Sequence, residues 1–137
     1  MAETLTWGLI STARITRKII PAIQTSPGCK LMAVASRDQD KADDFAGEYG
    51  IPRAYGTYEE LLDDPKIDCV YNPLPNSLHA EWTIKALEAG KHVLCEKPFT
   101  MDSQEALAVS AAAKDANRVV MEAFMYRFHP QWERVRL

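Results

Sequence analysis

The tripeptide Glu96-Lys97-Pro98 contains the residue of this sequence best suited to chemistry. It directly follows the apolar run 92–95, which is typical of a buried parallel strand. A lysine at the carboxyl end of such a strand faces the crevice in which open α/β sheets bind their ligands. There it can exchange a proton with a substrate, provided that its surroundings favour the neutral amine. Lys97 is therefore the candidate catalytic residue, and the alternative is an ordinary solvated loop lysine.

Short apolar runs alternate with helical stretches along the chain. Strands are predicted at 5–10, 31–35, 53–55, 67–71, 92–95 and 118–124, and helices at 13–24, 38–49, 57–62, 76–89, 102–117 and 131–137. Asp38, Thr57, Asn76 and Asp102 are the predicted helix caps. This alternation implies right-handed crossovers and a parallel sheet covered on both faces. The predicted fold class is therefore α/β, a Rossmann-like doubly wound parallel sheet.

The length of 137 residues suits one domain with one core. We expect residues 1–124 to form this domain. The chain changes character after Phe124 and ends in a segment that resembles the first turns of a helix. We therefore expect residues 125–137 to begin a connection to a second domain that the sequence does not contain.

Composition excludes several classes of partner. A net charge of -3 gives no basic surface for nucleic acid, and no segment is long and apolar enough for a membrane span. The three cysteines stand far apart, which indicates reduced core residues rather than disulfides, and the N-terminus has no signal-peptide pattern. We expect a cytoplasmic protein with a small-molecule partner, without a metal site.

The first strand-to-helix turn is the candidate phosphate-binding element. A dinucleotide site needs backbone N–H groups there, together with a helix N-terminus aimed at the pyrophosphate. Ser11, Ala13 and Thr16 occupy the positions of the three glycines in the usual motif. These small residues still permit a close approach; the alternative is a turn that only packs a helix closely on the sheet. The candidate cofactor contacts in this turn are Ser11, Thr12, Ala13, Arg14 and Ile15.

The end of the second strand bears on the choice between NADP and NAD. Sites for NAD place an acidic residue here, whereas an arginine accommodates the 2′-phosphate of NADP. This chain has Ser36-Arg37, and a hydroxyl beside a guanidinium suits a phosphate monoester. NADP is therefore the preferred cofactor. Asp38 follows and is interpreted as the cap of the next helix.

A proline-stiffened loop follows the fourth strand at the same edge of the sheet. Its candidate cofactor contacts are Pro73, Leu74, Asn76 and His79. The alternative is that Asn76 only caps the next helix and that His79 only packs.

Three segments together identify a resemblance to a known family. They are Glu96-Lys97-Pro98, the loop from Asn72 to His79, and the stretch from Glu122 to Pro130. The chain resembles the glucose-fructose oxidoreductase and inositol dehydrogenase family over essentially its whole length. Within it the likeness is greatest to sugar and dihydrodiol dehydrogenases, including NADP-dependent xylose dehydrogenases.

The resemblance implies roles for individual residues. It implies that Lys97 is the catalytic residue at the nicotinamide and that the Lys97–Pro98 peptide bond is cis. Glu96 is expected to orient this loop at the cofactor. Arg127 is a further expected cofactor contact, in a stretch that enters the active-site cleft.

The resemblance also implies an activity. The expected reaction is hydride transfer between NADP(H) and a hydroxyl or carbonyl group of a sugar, polyol or dihydrodiol. The family's second α/β domain supplies the rest of the substrate pocket and usually the interface of a homo-oligomer, so the present chain is not expected to be active alone. The alternative is a dinucleotide-binding module without catalysis. A protein-interaction domain that has lost the cofactor is disfavoured, because Arg37 and Lys97 both remain at the predicted edge.

Overall fold

One six-stranded parallel sheet organises the fold. The computed structural model describes residues 3–137, and its strand order is β3-β2-β1-β4-β5-β6. The strands are β1 (Leu5–Ile10), β2 (Cys29–Ala35), β3 (Arg53–Tyr55), β4 (Cys69–Asn72), β5 (His92–Cys95) and β6 (Val120–Glu122). The predicted doubly wound α/β fold is confirmed. The order reverses between β1 and β4, and open α/β sheets bind ligands outside the carboxyl ends of the strands at such a reversal.

Six helices connect and follow the strands. They are α1 (Thr16–Thr25), α2 (Gln39–Tyr49), α3 (Tyr58–Asp63), α4 (His79–Glu88), α5 (Ser103–Ala116) and α6 (Pro130–Arg136). Helices α1 and α2 share one core cluster with Leu9, Val34 and Tyr71 on one face of the sheet. Helices α3, α4 and α5 share a second cluster on the opposite face, with Val70 and Val93. Within residues 3–137, no helix has the length and apolar character needed to cross a membrane.

Three of the four predicted helix caps are confirmed. The side chains of Asp38, Thr57 and Asp102 accept hydrogen bonds from the backbone N–H groups of Lys41, Glu60 and Glu105. Each bond satisfies an N–H group that the first helical turn leaves free, so these boundaries follow from local sequence.

The prediction that Asn76 caps α4 is wrong. A 3₁₀ turn spans Asn76–Leu78, α4 begins at His79, and the N-cap Leu78 makes no side-chain hydrogen bond. The buried Asn72 side chain binds the backbone at both ends of this loop, at Leu74 N–H and His79 C=O. Tertiary contacts therefore set the start of this helix.

Boundaries of other elements also differ from the predictions. Helix α1 begins at Thr16 because the preceding residues form the turn after β1. Strand β2 begins two residues earlier, at Cys29. Strand β4 begins at Cys69, because Ile67 is still bonded to the preceding turn through Asp64 C=O. Strand β6 is limited to Val120–Glu122, since it lies at the edge of the sheet with one neighbour.

Candidate active site

The carboxyl edge of the sheet gathers the predicted site residues. All strands are parallel, so the loops after β1, β2, β4, β5 and β6 leave at the same edge. Backbone hydrogen bonds link neighbouring strand ends, from Ser11 N–H to Ala35 C=O and from Glu96 N–H to Asn72 C=O. The loops therefore form one rim rather than independent segments.

The turn after β1 reaches its shape without glycine. Ser11 has φ 87, in the left-handed region that favours glycine. Its hydroxyl accepts a hydrogen bond from Ala13 N–H at 3.1 Å, and its carbonyl accepts one from the Thr16 hydroxyl at 3.2 Å. Thr16 is fully buried, whereas Thr12 and Ile15 are half-buried and Arg14 is exposed. The small side chains of Ser11 and Thr16 therefore brace the turn from inside.

Ser36 and Arg37 lie directly after β2. Ser36 is buried, and its hydroxyl accepts a hydrogen bond from Asp38 N–H at 3.4 Å. Arg37 is exposed, and within residues 3–137 its guanidinium has no hydrogen-bond or ion-pair partner. Asp38 caps α2, as predicted from the sequence. The arrangement leaves a guanidinium available at this strand end, beside a hydroxyl.

The loop after β4 is built around Asn72, which is fully buried. Its amide nitrogen donates to His79 C=O at 3.3 Å and to the Thr83 hydroxyl at 3.1 Å. Pro73 and Leu74 are buried, and Asn76 is exposed at the outer turn of the loop. A buried amide therefore holds the loop from within.

His79 joins two of the site loops. It is 1% exposed, with Nδ1 at 2.7 Å from Pro98 C=O and Nε2 at 2.6 Å from Leu74 C=O. Carbonyl oxygens only accept, so the ring makes both bonds at once only when both nitrogens carry a proton. The buried position fits the packing alternative for His79. A direct cofactor contact would require one ring nitrogen to break its hydrogen bond to a backbone carbonyl.

The loop Glu96–Phe99 carries the candidate catalytic lysine. The Lys97–Pro98 bond is cis, which confirms the expectation from the resemblance, and the Lys97 side chain is exposed. Glu96 accepts a hydrogen bond from the Tyr71 hydroxyl at 2.6 Å and one from Lys97 N–H at 3.1 Å. Glu122 of β6 accepts one from Phe99 N–H at 2.8 Å. Side chains from neighbouring strands therefore anchor both ends of this loop.

Two buried groups near this loop are kept protonated. Burial raises the pKa of the Cys95 thiol to about 11, so it is no nucleophile at neutral pH. Burial, together with the hydrogen bond to Glu96 and the charge on it, raises the pKa of the Tyr71 hydroxyl. Tyr71 therefore acts as a hydrogen-bond donor at this site.

Arg127 lies in a 3₁₀ turn, Met125–Phe128, beyond β6 and is exposed. Beside this turn, an apolar groove of about 540 Å³ lies between α1 and the ends of β5 and β6. It is lined by Ile15, Ile19, Leu94, Met121 and Phe124, with Glu96 also in its wall. Met125 and Phe128 of the turn also line the groove, and the role of Arg127 as a cofactor contact stays a prediction.

Three residues that shape the site were missed as site residues by sequence reasoning. Tyr71 and Asn72 end a buried strand, and Glu122 lies in the edge strand. A polar residue within an apolar strand run needs a partner when it is buried. That signal was present in the sequence, but the partners could be identified only from the fold.

Comparison with known proteins places the chain in a family. It is 51% identical over 129 residues to D-xylose 1-dehydrogenase (NADP(+)) 2 of Haloferax volcanii, covering 93% of this chain and 39% of that protein. It is 43% identical over 132 residues to trans-1,2-dihydrobenzene-1,2-diol dehydrogenase of Xenopus laevis, covering 95% and 40%. The chain thus spans about 40% of the length of these relatives.

A solved structure shows the same architecture. KijD10, a 3-ketoreductase from Actinomadura kijaniata in complex with NADP and TDP-benzene, superimposes with a TM-score of 0.92 at 40% identity, covering 97% of this chain and 41% of KijD10. The family model GFO_IDH_MocA matches residues 5–124. The chain belongs to this family, described as an oxidoreductase family with an NAD-binding Rossmann fold.

Proposed function

We propose that the chain is the NADP(H)-binding domain of a dehydrogenase or reductase that acts on a sugar, polyol or dihydrodiol. The observation that carries this proposal is the placement of two residues at one edge of the sheet: Arg37, whose guanidinium has no partner within residues 3–137, and Lys97, whose backbone N–H is bonded to Glu96. Relatives named for NADP, a sugar or a dihydrodiol support it.

The residues present fit an NADP molecule. The braced turn at Ser11 and Ala13 would lie against the pyrophosphate, and Ser36 with Arg37 would bind the 2′-phosphate. Pro73 and Leu74 would line the nicotinamide ribose. Bound there, the cofactor supplies or accepts the hydride. Lys97 would accept the proton of the substrate hydroxyl during oxidation and return it to the oxygen during reduction.

Arg37 provides the test of cofactor choice. Arg37→Ala should weaken NADPH binding by about tenfold or more, because a charge-assisted bond to phosphate is lost, and should leave NADH binding unchanged. Isothermal titration calorimetry with both cofactors measures this. Lys30→Ala removes the same charge from the amino end of β2 and is the control. Unchanged NADPH affinity in Arg37→Ala would refute the assignment.

A second candidate is a dinucleotide-binding module without catalysis. The observation in its favour is that the chain spans about 40% of its relatives, and substrate positioning is a large part of catalysis. Binding of NADPH without oxidation of a panel of sugars and diols would select this candidate. In a protein of the relatives' full length, Lys97→Met should abolish turnover; retained turnover would remove Lys97 from the mechanism.

Self-association and cellular location are two further parts of the proposal. Met125, Phe128 and Val135 are 77%, 71% and 68% exposed, and apolar side chains gathered in one region favour association. We expect a homo-oligomer, which a strictly monomeric sedimentation profile at high concentration would contradict.

A cytoplasmic location fits the three free thiols, and recovery of the protein outside the cytoplasm would contradict it.

A further inference from the structure

Tyr71 is a buried tyrosine whose only polar side-chain atom meets the loop of the candidate catalytic lysine. It is 1% exposed and belongs to the core cluster that contains Leu9, Ile20 and Ile23. A phenylalanine would fill this apolar position, and a buried hydroxyl is costly unless it is hydrogen-bonded. The hydroxyl donates to Glu96 Oε1 at 2.6 Å. This bond is what distinguishes tyrosine from phenylalanine here.

Glu96 connects the Tyr71 hydroxyl to the backbone of Lys97. Its other oxygen, Oε2, accepts a hydrogen bond from Lys97 N–H at 3.1 Å. With each oxygen engaged by a donor, the carboxylate is held in one orientation. The chain of bonds from Tyr71 through Glu96 therefore fixes the backbone from which the Lys97 side chain leaves.

Other anchors of this loop act beyond Lys97. His79 bonds to Pro98 C=O, and Glu122 bonds to Phe99 N–H. Among the side-chain hydrogen bonds of the described residues, the one that Glu96 Oε2 accepts is donated by the Lys97 N–H itself. Tyr71 is thus the buried group whose hydrogen bonds lead, through Glu96, to Lys97 itself rather than to a later residue of the loop.

We propose that Tyr71 is a positioning residue that acts through Glu96 to aim Lys97 at the substrate oxygen with which it exchanges a proton. This inference rests on the proposed dehydrogenase function. A misplacement of about 1 Å in an active site can lower the rate by about a hundredfold. Loss of the Tyr71 hydroxyl should therefore lower kcat while leaving cofactor binding intact.

The first experiment measures the backbone constraint on the 137-residue chain. Amide hydrogen exchange followed by NMR should be several-fold faster at Lys97 in Tyr71→Phe and in Glu96→Ala than in the wild type. Tyr55→Phe is the matched control, because it removes another hydroxyl that donates to a carboxylate, that of Asp64 at 2.9 Å. Exchange at Lys97 that is equal in Tyr71→Phe and wild type would overturn the proposal.

The second experiment measures catalysis in a protein of the relatives' full length. In Tyr71→Phe, kcat should fall by about tenfold or more, with the Kd for NADPH and the Tm close to those of the wild type. Glu96→Ala should lower kcat similarly, and the double variant should be no worse, because both changes break one chain of bonds. An unchanged kcat, or effects that multiply in the double variant, would overturn the proposal. Failure of the wild type to bind NADPH would instead refute the proposed function, while the exchange experiment would still report on Tyr71.

Discussion

Ser11 shows how a single residue replaces a glycine that the sequence motif leads one to expect. The dinucleotide-binding motif is weak in this sequence, because Ser11, Ala13 and Thr16 occupy the positions of its three glycines. In the structure Ser11 nevertheless adopts the left-handed conformation, and its hydroxyl and carbonyl are both hydrogen-bonded within the turn. The conformation is therefore retained, with side-chain hydrogen bonds offsetting its steric cost. Sequence reasoning could locate this turn but could not predict that a serine would take this φ.

The positive φ of Ser11 predicts the relative stability of two variants at this position. Both Ser11→Gly and Ser11→Ala lose the hydroxyl, but only glycine adopts positive φ without steric cost. Ser11→Gly should therefore be more stable than Ser11→Ala by about 1 kcal/mol. Urea unfolding of the two variants measures the difference. Equal stabilities, or a more stable alanine variant, would show that φ at this position carries no such cost.

Elements whose limits depend on local chemistry were predicted best. The caps at Asp38 and Asp102 and the strand Arg53–Tyr55 were each predicted at the residues observed. The start of α4 was not, because the buried Asn72 amide holds the preceding loop. Contacts between segments distant in sequence leave no local pattern, so such boundaries require the fold.

The packing of α3 under β1 depends on Gly8. A Cβ at Gly8 would lie 2.9 Å from Leu61 Cδ2 and 3.2 Å from Ile67 Cγ2, and Leu61 is fully buried. Gly8→Ala should therefore destabilise the protein by about 1–3 kcal/mol through overpacking. In contrast, Gly47→Ala in α2 meets no atom within 4 Å and should stabilise by about 0.5–1 kcal/mol. Thermal or urea unfolding measures the stability of both variants. A Gly8→Ala variant as stable as the wild type would show that α3 does not pack tightly against Gly8.

A buried carboxylate ties β3 to the loop after α3. Asp64 accepts hydrogen bonds from Arg53, from the Tyr55 hydroxyl at 2.9 Å and from Lys66 N–H at 2.9 Å. Burial alone would raise the pKa of Asp64, but these bonds outweigh it and lower the pKa below its ordinary value of 3.8. The folded state therefore favours the charged form. Its stabilising contribution is complete above about pH 4 and is lost as the pH falls through the lower folded pKa.

Asp64→Asn should reduce the free energy of unfolding at pH 7 by about 1.5–3 kcal/mol, because bonds to a charged acceptor are weakened. The stability of this variant should also depend less on pH below about pH 4 than that of the wild type. Urea unfolding at a series of pH values measures both effects. Asp115→Asn on the exposed face of α5 is the control. If the free energy of unfolding of Asp64→Asn depended on pH below about pH 4 as steeply as that of the wild type, Asp64 would not be the source of this pH dependence.

At the scale of the whole molecule, the alternation of strands and helices was enough to predict the doubly wound sheet, whereas the binding site at its carboxyl edge stays a prediction. The alternation could not show that one face of the sheet near β5 and β6 keeps an apolar groove of about 540 Å³. It also could not show that side chains from two strands, β4 and β6, and from α4 hold the loop of Lys97. Such features depend on side chains that meet across the sheet.

We propose that this edge binds NADP with its 2′-phosphate at Ser36 and Arg37 and its nicotinamide at Lys97. A crystal structure of the chain with NADPH tests this binding mode. We expect the 2′-phosphate within hydrogen-bond distance of the Arg37 guanidinium and the nicotinamide ring beside the Lys97 side chain. A 2′-phosphate that does not contact Arg37, or a nicotinamide bound away from the Glu96–Phe99 loop, would contradict it.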